Sequence, residues 1–86
     1  MGAGTMGDKA IRELIQARLR SGDLPAFQDQ SIFAGKGDMQ RCVCCDVAVT
    51  GADIQYEVVL ADQRTLVTHL HCFNLWCEES RAFHGL

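Results

Sequence analysis

The chain has 86 residues, of which 48% are hydrophobic and 22% charged, a composition typical of a globular protein rather than a disordered one. Its formal net charge of −3 gives no overall attraction to nucleic acid or to an anionic membrane. A single domain of this length has a marginal apolar core, so a bound metal, disulfides or a partner chain is expected to add to its stability.

Residues 1–7 are small and rich in glycine, and we expect them to be disordered. They lack the basic start and apolar run of a signal peptide, so we do not expect them to be one. No segment approaches the roughly 18 consecutive apolar residues of a membrane-spanning helix. We therefore expect a cytoplasmic protein without membrane contact, with residues 8–86 forming one metal-binding domain.

Residues 8–21 predict an amphipathic helix, because one face carries apolar residues at helical spacing, namely Ile11, Leu14, Ile15 and Leu19. Asp8 is expected to cap the N-terminus and Gly22 to end the helix. Basic residues outnumber acidic ones here. We expect the helix to pack on the core, and partner binding is the alternative.

Residues 22–41 show neither helical nor strand periodicity and predict a long loop. Phe27, Ile32 and Phe33 are apolar enough to hold this loop against a surface or to meet a partner. The run from Gly35 to Gly37 lacks the spacing of a phosphate-binding loop and is expected to be a flexible approach to the cysteines.

Residues 53–70 predict a β-hairpin with a turn at 61–64, because apolar residues alternate with others on both sides of that turn. In the first strand, Ile54, Tyr56, Val58 and Leu60 are expected to share the apolar side and Gln55 to lie on the other. Residues 72–83 predict a second helix with one face formed by Phe73, Trp76, Cys77 and Ser80.

Two pairs of potential metal ligands flank this hairpin. Cys42 and Cys45 form a Cys-x2-Cys pair, and His69 and Cys72 form a His-x2-Cys pair 23 residues later. Zinc favours four thiolate and imidazole ligands in a tetrahedron, and a two-residue gap lets one turn present both donors to one ion. Without a signal peptide, five cysteines point to metal binding rather than to disulfides. The sequence therefore predicts one structural Zn²⁺.

The choice of ligands leaves alternatives open. Cys44 lies inside the first pair and could compete with its neighbours, and His71 would face the same way as His69 on an extended strand. His69 is preferred because it restores the two-residue gap to Cys72. Iron would suit the same ligands, and buried reduced cysteines with a core histidine are the alternative to any metal.

The arrangement resembles a treble-clef zinc finger: Cys42-x2-Cys45, a hairpin, and His69-x2-Cys72 opening a helix. It is similar to the first zinc module of LIM domains. The wider pattern, with a closing His-x2-Cys-Phe-x2-Trp, also resembles a set of small bacterial proteins. This resemblance implies a small α+β fold with zinc at those four residues. The residue after the second cysteine is often glycine because it needs a positive φ, and here it is Asp46.

Four soft ligands would close the coordination shell, so we expect a binding module rather than an enzyme. The leading hypothesis is an adaptor or regulator that binds another protein. Nucleic-acid binding through the basic side chains is the first alternative, although the acidic balance disfavours it. A redox-sensing zinc site, with Cys44 as the resolving thiol, is the second.

Overall fold

The computed structural model describes residues 7–27 and 31–84 of the chain. The elements, in chain order, are helix α1 (Asp8–Ser21), strand β1 (Ser31–Lys36), strand β2 (Ile54–Val59), strand β3 (Thr65–His69) and helix α2 (Leu70–His84). The strands form one antiparallel sheet in the order β1-β2-β3. The chain is thus a small α+β domain, as predicted. None of the helices within the described ranges is long and apolar enough to span a membrane.

Helix α1 buries the predicted apolar face through Ile11, Ile15 and Leu19. It ends at Gly22, whose φ of 84° is the left-handed conformation that glycine adopts most readily. The predicted cap at Asp8 is wrong: Gly7 is the N-cap, in an extended conformation, and no side chain caps the helix. Gly7 is also the one residue of the predicted disordered segment 1–7 that lies among the described residues.

Helix α1 packs against helix α2 through charged side chains at its outer face. Arg12 donates hydrogen bonds to Glu78 at 2.6 Å and to Glu79 at 2.7 Å, and Gln16 donates to Glu79 at 2.8 Å. The bond from Gln16, together with Arg12, lowers the pKa of the Glu79 carboxyl. The cation of Arg12 is therefore already paired within the chain.

Strand β1 lies inside the segment predicted to be a loop, so that prediction is wrong for Ser31–Lys36. The strand pairs with β2 from Ser31 opposite Val59 to Lys36 opposite Ile54. All its residues are exposed. Because neither face of β1 is buried, its sequence carries no alternation of apolar and polar residues, and backbone hydrogen bonds to β2 position it instead.

The beginning of the predicted loop packs on α2. The indole Nε1 of Trp76 donates to the carbonyl oxygen of Pro25 at 2.9 Å, and the N–H of Phe27 donates to Ser80 Oγ at 2.8 Å. The Phe27 ring makes edge-to-face contacts with Phe73 and Trp76, at centroid distances of 5.2 and 5.7 Å. Phe27 thus holds this segment to a surface, as predicted.

The β-hairpin is confirmed, with a hydrogen bond from the N–H of Leu60 to the carbonyl oxygen of Arg64 closing its turn. The faces differ from the prediction at the start of β2. Gln55 is buried, whereas Ile54 is 51% exposed. The amide group of Gln55 accepts a hydrogen bond from the N–H of Asp38 and donates one to Glu57, which satisfies it inside the fold.

Helix α2 begins at Leu70, two residues before the predicted start, and directly follows β3. The predicted face is confirmed at Phe73, Trp76 and Ser80, which are buried. Cys77 is half-buried and packs against the edge of the core. The prediction missed Leu75, which is 2% exposed.

The backbone at Gly37 makes a close approach that leaves no room for a side chain. A Cβ there would meet the carbonyl oxygen of Thr50 below contact distance and that of Val49 at 2.7 Å, whereas a Cβ at Gly35 would meet nothing within 4 Å. We expect Gly37→Ala to lower the free energy of unfolding by more than about 2 kcal/mol and Gly35→Ala to change it by less than about 0.5 kcal/mol. Urea denaturation of the two variants tests this, and equal stabilities would contradict the close approach.

Candidate metal centre

The first pair of candidate ligands lies in a tight turn between residues 41 and 48, which form an isolated antiparallel bridge. Two backbone bonds close the turn: the N–H of Cys42 donates to Val47 at 3.0 Å, and that of Asp46 donates back to Cys42 at 2.9 Å. The φ of Asp46 is 66°, the positive value expected at this position. The turn buries Cys42 and Cys45, which are 0% and 8% exposed.

The second pair lies where β3 meets α2. His69 is the last residue of β3, and Cys72 lies in the first turn of α2. The sheet brings this junction back to the turn, because the N–H of Val43 donates to the carbonyl oxygen of Val67 in β3 at 2.7 Å. The hairpin thus returns the second pair to the first, as the sequence predicted.

Four donor atoms converge at this point: the thiols of Cys42, Cys45 and Cys72 and a ring nitrogen of His69 lie within 4.8 Å of one another. His69 Nδ1 is 3.5 Å from the Sγ of Cys45 and 3.8 Å from that of Cys72. Tetrahedral zinc, with bonds of about 2.3 Å to sulfur and about 2.0–2.1 Å to nitrogen, would separate sulfur from nitrogen by about 3.5–3.6 Å. The cluster therefore has the donor types and the spacing of a Cys3His metal site.

The orientation of the His69 ring is set from outside the cluster. Its Nε2 lies 3.3 Å from the carbonyl oxygen of Ala48. A carbonyl oxygen can only accept, so Nε2 is the donor in this contact and Nδ1 is the ring nitrogen that faces the sulfur atoms. Metal-binding histidines are oriented by the same kind of backbone contact.

Without a metal ion, one thiol at this point ionises readily and its neighbours do not. The pKa of Cys42 lies far below its ordinary value because its sulfur accepts hydrogen bonds from Cys44 and Cys72. Those bonds and burial raise the pKa of Cys44 and Cys72 well above the ordinary value, and burial raises the pKa of Cys45. Three thiolates can therefore lie this close together only if a cation lies among them. A bound metal ion supplies that cation, and it deprotonates the thiols that coordinate it.

The free N–H groups and the positive end at the start of α2 favour a thiolate there. Cys72 does lie at the helix start, but its bond to Cys42 and its burial raise its pKa. The low-pKa thiol is Cys42, which also accepts a hydrogen bond from the N–H of Cys44 at 3.4 Å. Contacts within the cluster outweigh the positive end of the helix.

The residues that competed for ligand positions lie outside the cluster. His71 is exposed, and its Nε2 is 2.7 Å from the carboxylate of Asp8 in α1. The thiol of Cys44 is buried beside the sulfur of Cys42, and its Sγ lies 3.8 Å from the carbonyl oxygen of Cys72. The structure thus brings together the preferred set with His69 and turns His71 toward α1.

Helix α1 also holds the turn that carries the first pair. Arg18 donates to the carbonyl oxygen of Val43 at 2.5 Å and to the carboxylate of Asp46 at 2.6 Å. Arg41 donates to the backbone oxygen of Asp46 at 3.0 Å. Sequence reasoning missed this contact, although an arginine on the polar side of α1 and an acidic residue in the turn offered a signal for it.

An open groove with a volume of about 720 Å³ borders the cluster. Cys45, His69 and Cys72 form part of its wall, and most of the remaining lining is apolar. Three exposed apolar residues lie in it, namely Val47, Ile54 and Leu70. Asp53 and Asn74 add polar groups.

No model of a known protein family matches the chain, and neither the curated proteins nor the solved structures give a significant match. The assignment to treble-clef or LIM-type fingers therefore stays a prediction. The metal site itself is supported by the geometry of its four residues.

The two histidines provide a matched test of the ligand set. We expect His69→Gln to lower zinc affinity by more than about 100-fold, since losing a group that merely orients a ligand costs roughly 10–100-fold. His71→Gln removes the imidazole that contacts Asp8 and should leave the affinity unchanged. Competition against a chromogenic chelator measures both, and a larger loss in the His71 variant would contradict the proposed ligands.

Proposed function

We propose that this chain is a structural-zinc protein that binds a segment of another protein in the groove beside the metal centre. The observation that carries the proposal is the convergence of Cys42, Cys45, His69 and Cys72. Zinc is preferred because three thiols and one imidazole are its usual structural ligands. Metal analysis of the purified protein distinguishes zinc from iron.

A structural role follows from the number of ligands. Four protein ligands fill a tetrahedral shell and leave no position for a substrate or an activated water, so we propose a protein without enzymatic activity. Structural zinc contributes on the order of 10–16 kcal/mol in finger peptides. That is comparable with the whole stability of a small domain, which is about 5–15 kcal/mol.

The groove supports the choice of a protein partner. Val47, Ile54 and Leu70 expose apolar surface together, and exposed apolar patches in concave sites are typical of binding surfaces. The carboxylate of Asp53 lies on the same surface. We therefore propose a partner segment with apolar side chains and one basic residue.

Nucleic-acid binding is less well supported. Among the basic side chains, Arg12 is paired with Glu78 and Glu79, and Arg18 is paired with Asp46. Their charge is neutralised within the chain and releases few counterions from a phosphate backbone. A gel shift that appears at low salt and disappears at higher salt would favour this alternative.

The dependence of the fold on the metal can be tested at Cys45. We expect Cys45→Ser to lose zinc and to unfold the C-terminal half, because the remaining buried thiols lose the cation that lets them share one site. Cys77→Ser changes a half-buried cysteine outside the cluster and should retain one zinc per chain. Zinc content and circular dichroism give the answer, and a Cys45→Ser protein with unchanged metal and spectrum would refute the structural role.

The groove can be tested with peptides selected by display on the zinc-loaded protein. We expect selected peptides to carry apolar residues and a lysine or arginine, and to bind Ile54→Glu at least about tenfold more weakly, which corresponds to 1.4 kcal/mol. Met39→Glu places the same charge on an exposed apolar residue outside both the groove and β1, and is the control. Equal binding to both variants, measured by calorimetry, would show that the groove is not the binding surface.

A further inference from the structure

Strand β1 leaves one edge of the sheet open. The order β1-β2-β3 gives β1 a single neighbour, and no other described residue pairs with it. The opposite edge is different, because the bond from Val43 to Val67 covers part of β3. An open edge presents unpaired backbone N–H and C=O groups to any other strand.

The residues of this edge make it unusually receptive to pairing. Natural proteins protect such edges with charges, prolines or bulges. Strand β1 has none of these between Ser31 and Gly35, and its only charge is Lys36 at one end. Phe33 is 60% exposed and Ile32 is 39% exposed. An uncharged apolar edge of this kind favours a partner strand that is also uncharged and apolar.

The backbone pattern shows which groups face outward. Gly37 directly follows β1, and Asp53 directly precedes β2. The two residues lie opposite each other if the register of the two strands is continued by one residue, and the N–H of Gly37 donates to the carbonyl oxygen of Asp53. In an antiparallel ladder, residues that bond to the neighbouring strand alternate with residues that do not. Gly35 and Phe33 therefore bond to β2, and the backbone groups of Ile32 and Ala34 face away from the sheet.

We propose that β1 pairs antiparallel with β1 of a second copy of this chain, about a twofold axis at Phe33. In this register Ile32 of each copy lies opposite Ala34 of the other, and both residues present their outward N–H and C=O groups for reciprocal hydrogen bonds. The two Phe33 side chains then form the non-hydrogen-bonded pair at the centre, where opposed side chains come closest.

A second copy fits this edge by charge as well as by shape. Antiparallel pairing places the two Lys36 side chains at opposite ends of the paired segment, roughly 20 Å apart at about 3.4 Å per residue, so they do not repel across it. Each copy supplies the uncharged apolar strand that the edge of the other favours. The contact is isologous, as in most homodimers. The contact involves no candidate metal ligand, because β1 alone forms it and β2 positions β1.

Charge substitutions at Phe33 test the pairing. Both variants are made in the zinc-loaded protein. Phe33→Lys places two positive charges opposite each other at the axis, and Phe33→Glu places two negative charges there. We expect the unchanged chain to sediment at twice the mass of a single chain and each variant to sediment at the single mass. Mixing the two variants should restore the dimer, because an ammonium group then faces a carboxylate. Recovery on mixing would exclude misfolding as the cause of dissociation.

Met39→Lys is the matched control, because Met39 is 64% exposed, lies outside β1 and receives the same charge. It should remain dimeric. Amide hydrogen exchange gives a second readout: the N–H groups of Ile32 and Ala34 should be protected in the dimer and exchange quickly in Phe33→Lys.

Sedimentation of the unchanged chain at the single mass at every concentration would overturn the proposal. A Phe33→Glu protein that remains dimeric would also overturn it, because Glu57 lies opposite position 33 in β2 and adds to the repulsion at the axis. A monomeric chain whose Ile32 and Ala34 amides become protected on adding a selected peptide would show that another protein occupies the edge. Zinc content is measured on the same samples. A monomeric chain that still holds one zinc shows that the pairing of β1 has failed while the metal site is intact.

Discussion

The crowding of three thiols and one imidazole is the constraint on which the rest of the structure depends. These four side chains come from two segments more than twenty residues apart, yet their donor atoms lie within 4.8 Å. Burial and mutual repulsion allow only Cys42 to ionise easily. A divalent cation would remove this conflict, and the turn, the hairpin and the start of α2 together hold the four donors close enough to coordinate one.

The two helices extend this organisation away from the cluster. Arg12 ties α1 to α2, and Arg18 ties α1 to the turn that carries Cys42 and Cys45. Arg12 and Arg18 are therefore engaged in contacts within the domain. The two surfaces that we propose for partners are apolar: the groove beside the cluster and the open edge of β1.

The sequence predicted two kinds of feature: elements in which burial of one face gives the apolar residues a regular period, and metal ligands whose spacing along the chain is set by coordination chemistry. Helix α1 and the hairpin are of the first kind, and the ligand pairs are of the second. Strand β1 could not be found, because all its residues are exposed and its position is set by β2. The burial of Gln55 depends on a hydrogen bond from Asp38, which no local pattern indicates. The choice of His69 over His71 followed from spacing, whereas the partner of His71, Asp8, depends on how α1 packs.

X-ray absorption spectroscopy at the zinc edge tests the central claim most directly, because it reports the atoms bound to the ion. The account predicts one zinc per chain with three sulfur neighbours at about 2.3 Å and one nitrogen at about 2.0–2.1 Å. A shell dominated by oxygen, or a folded chain that binds no metal and melts cooperatively without it, would contradict the account.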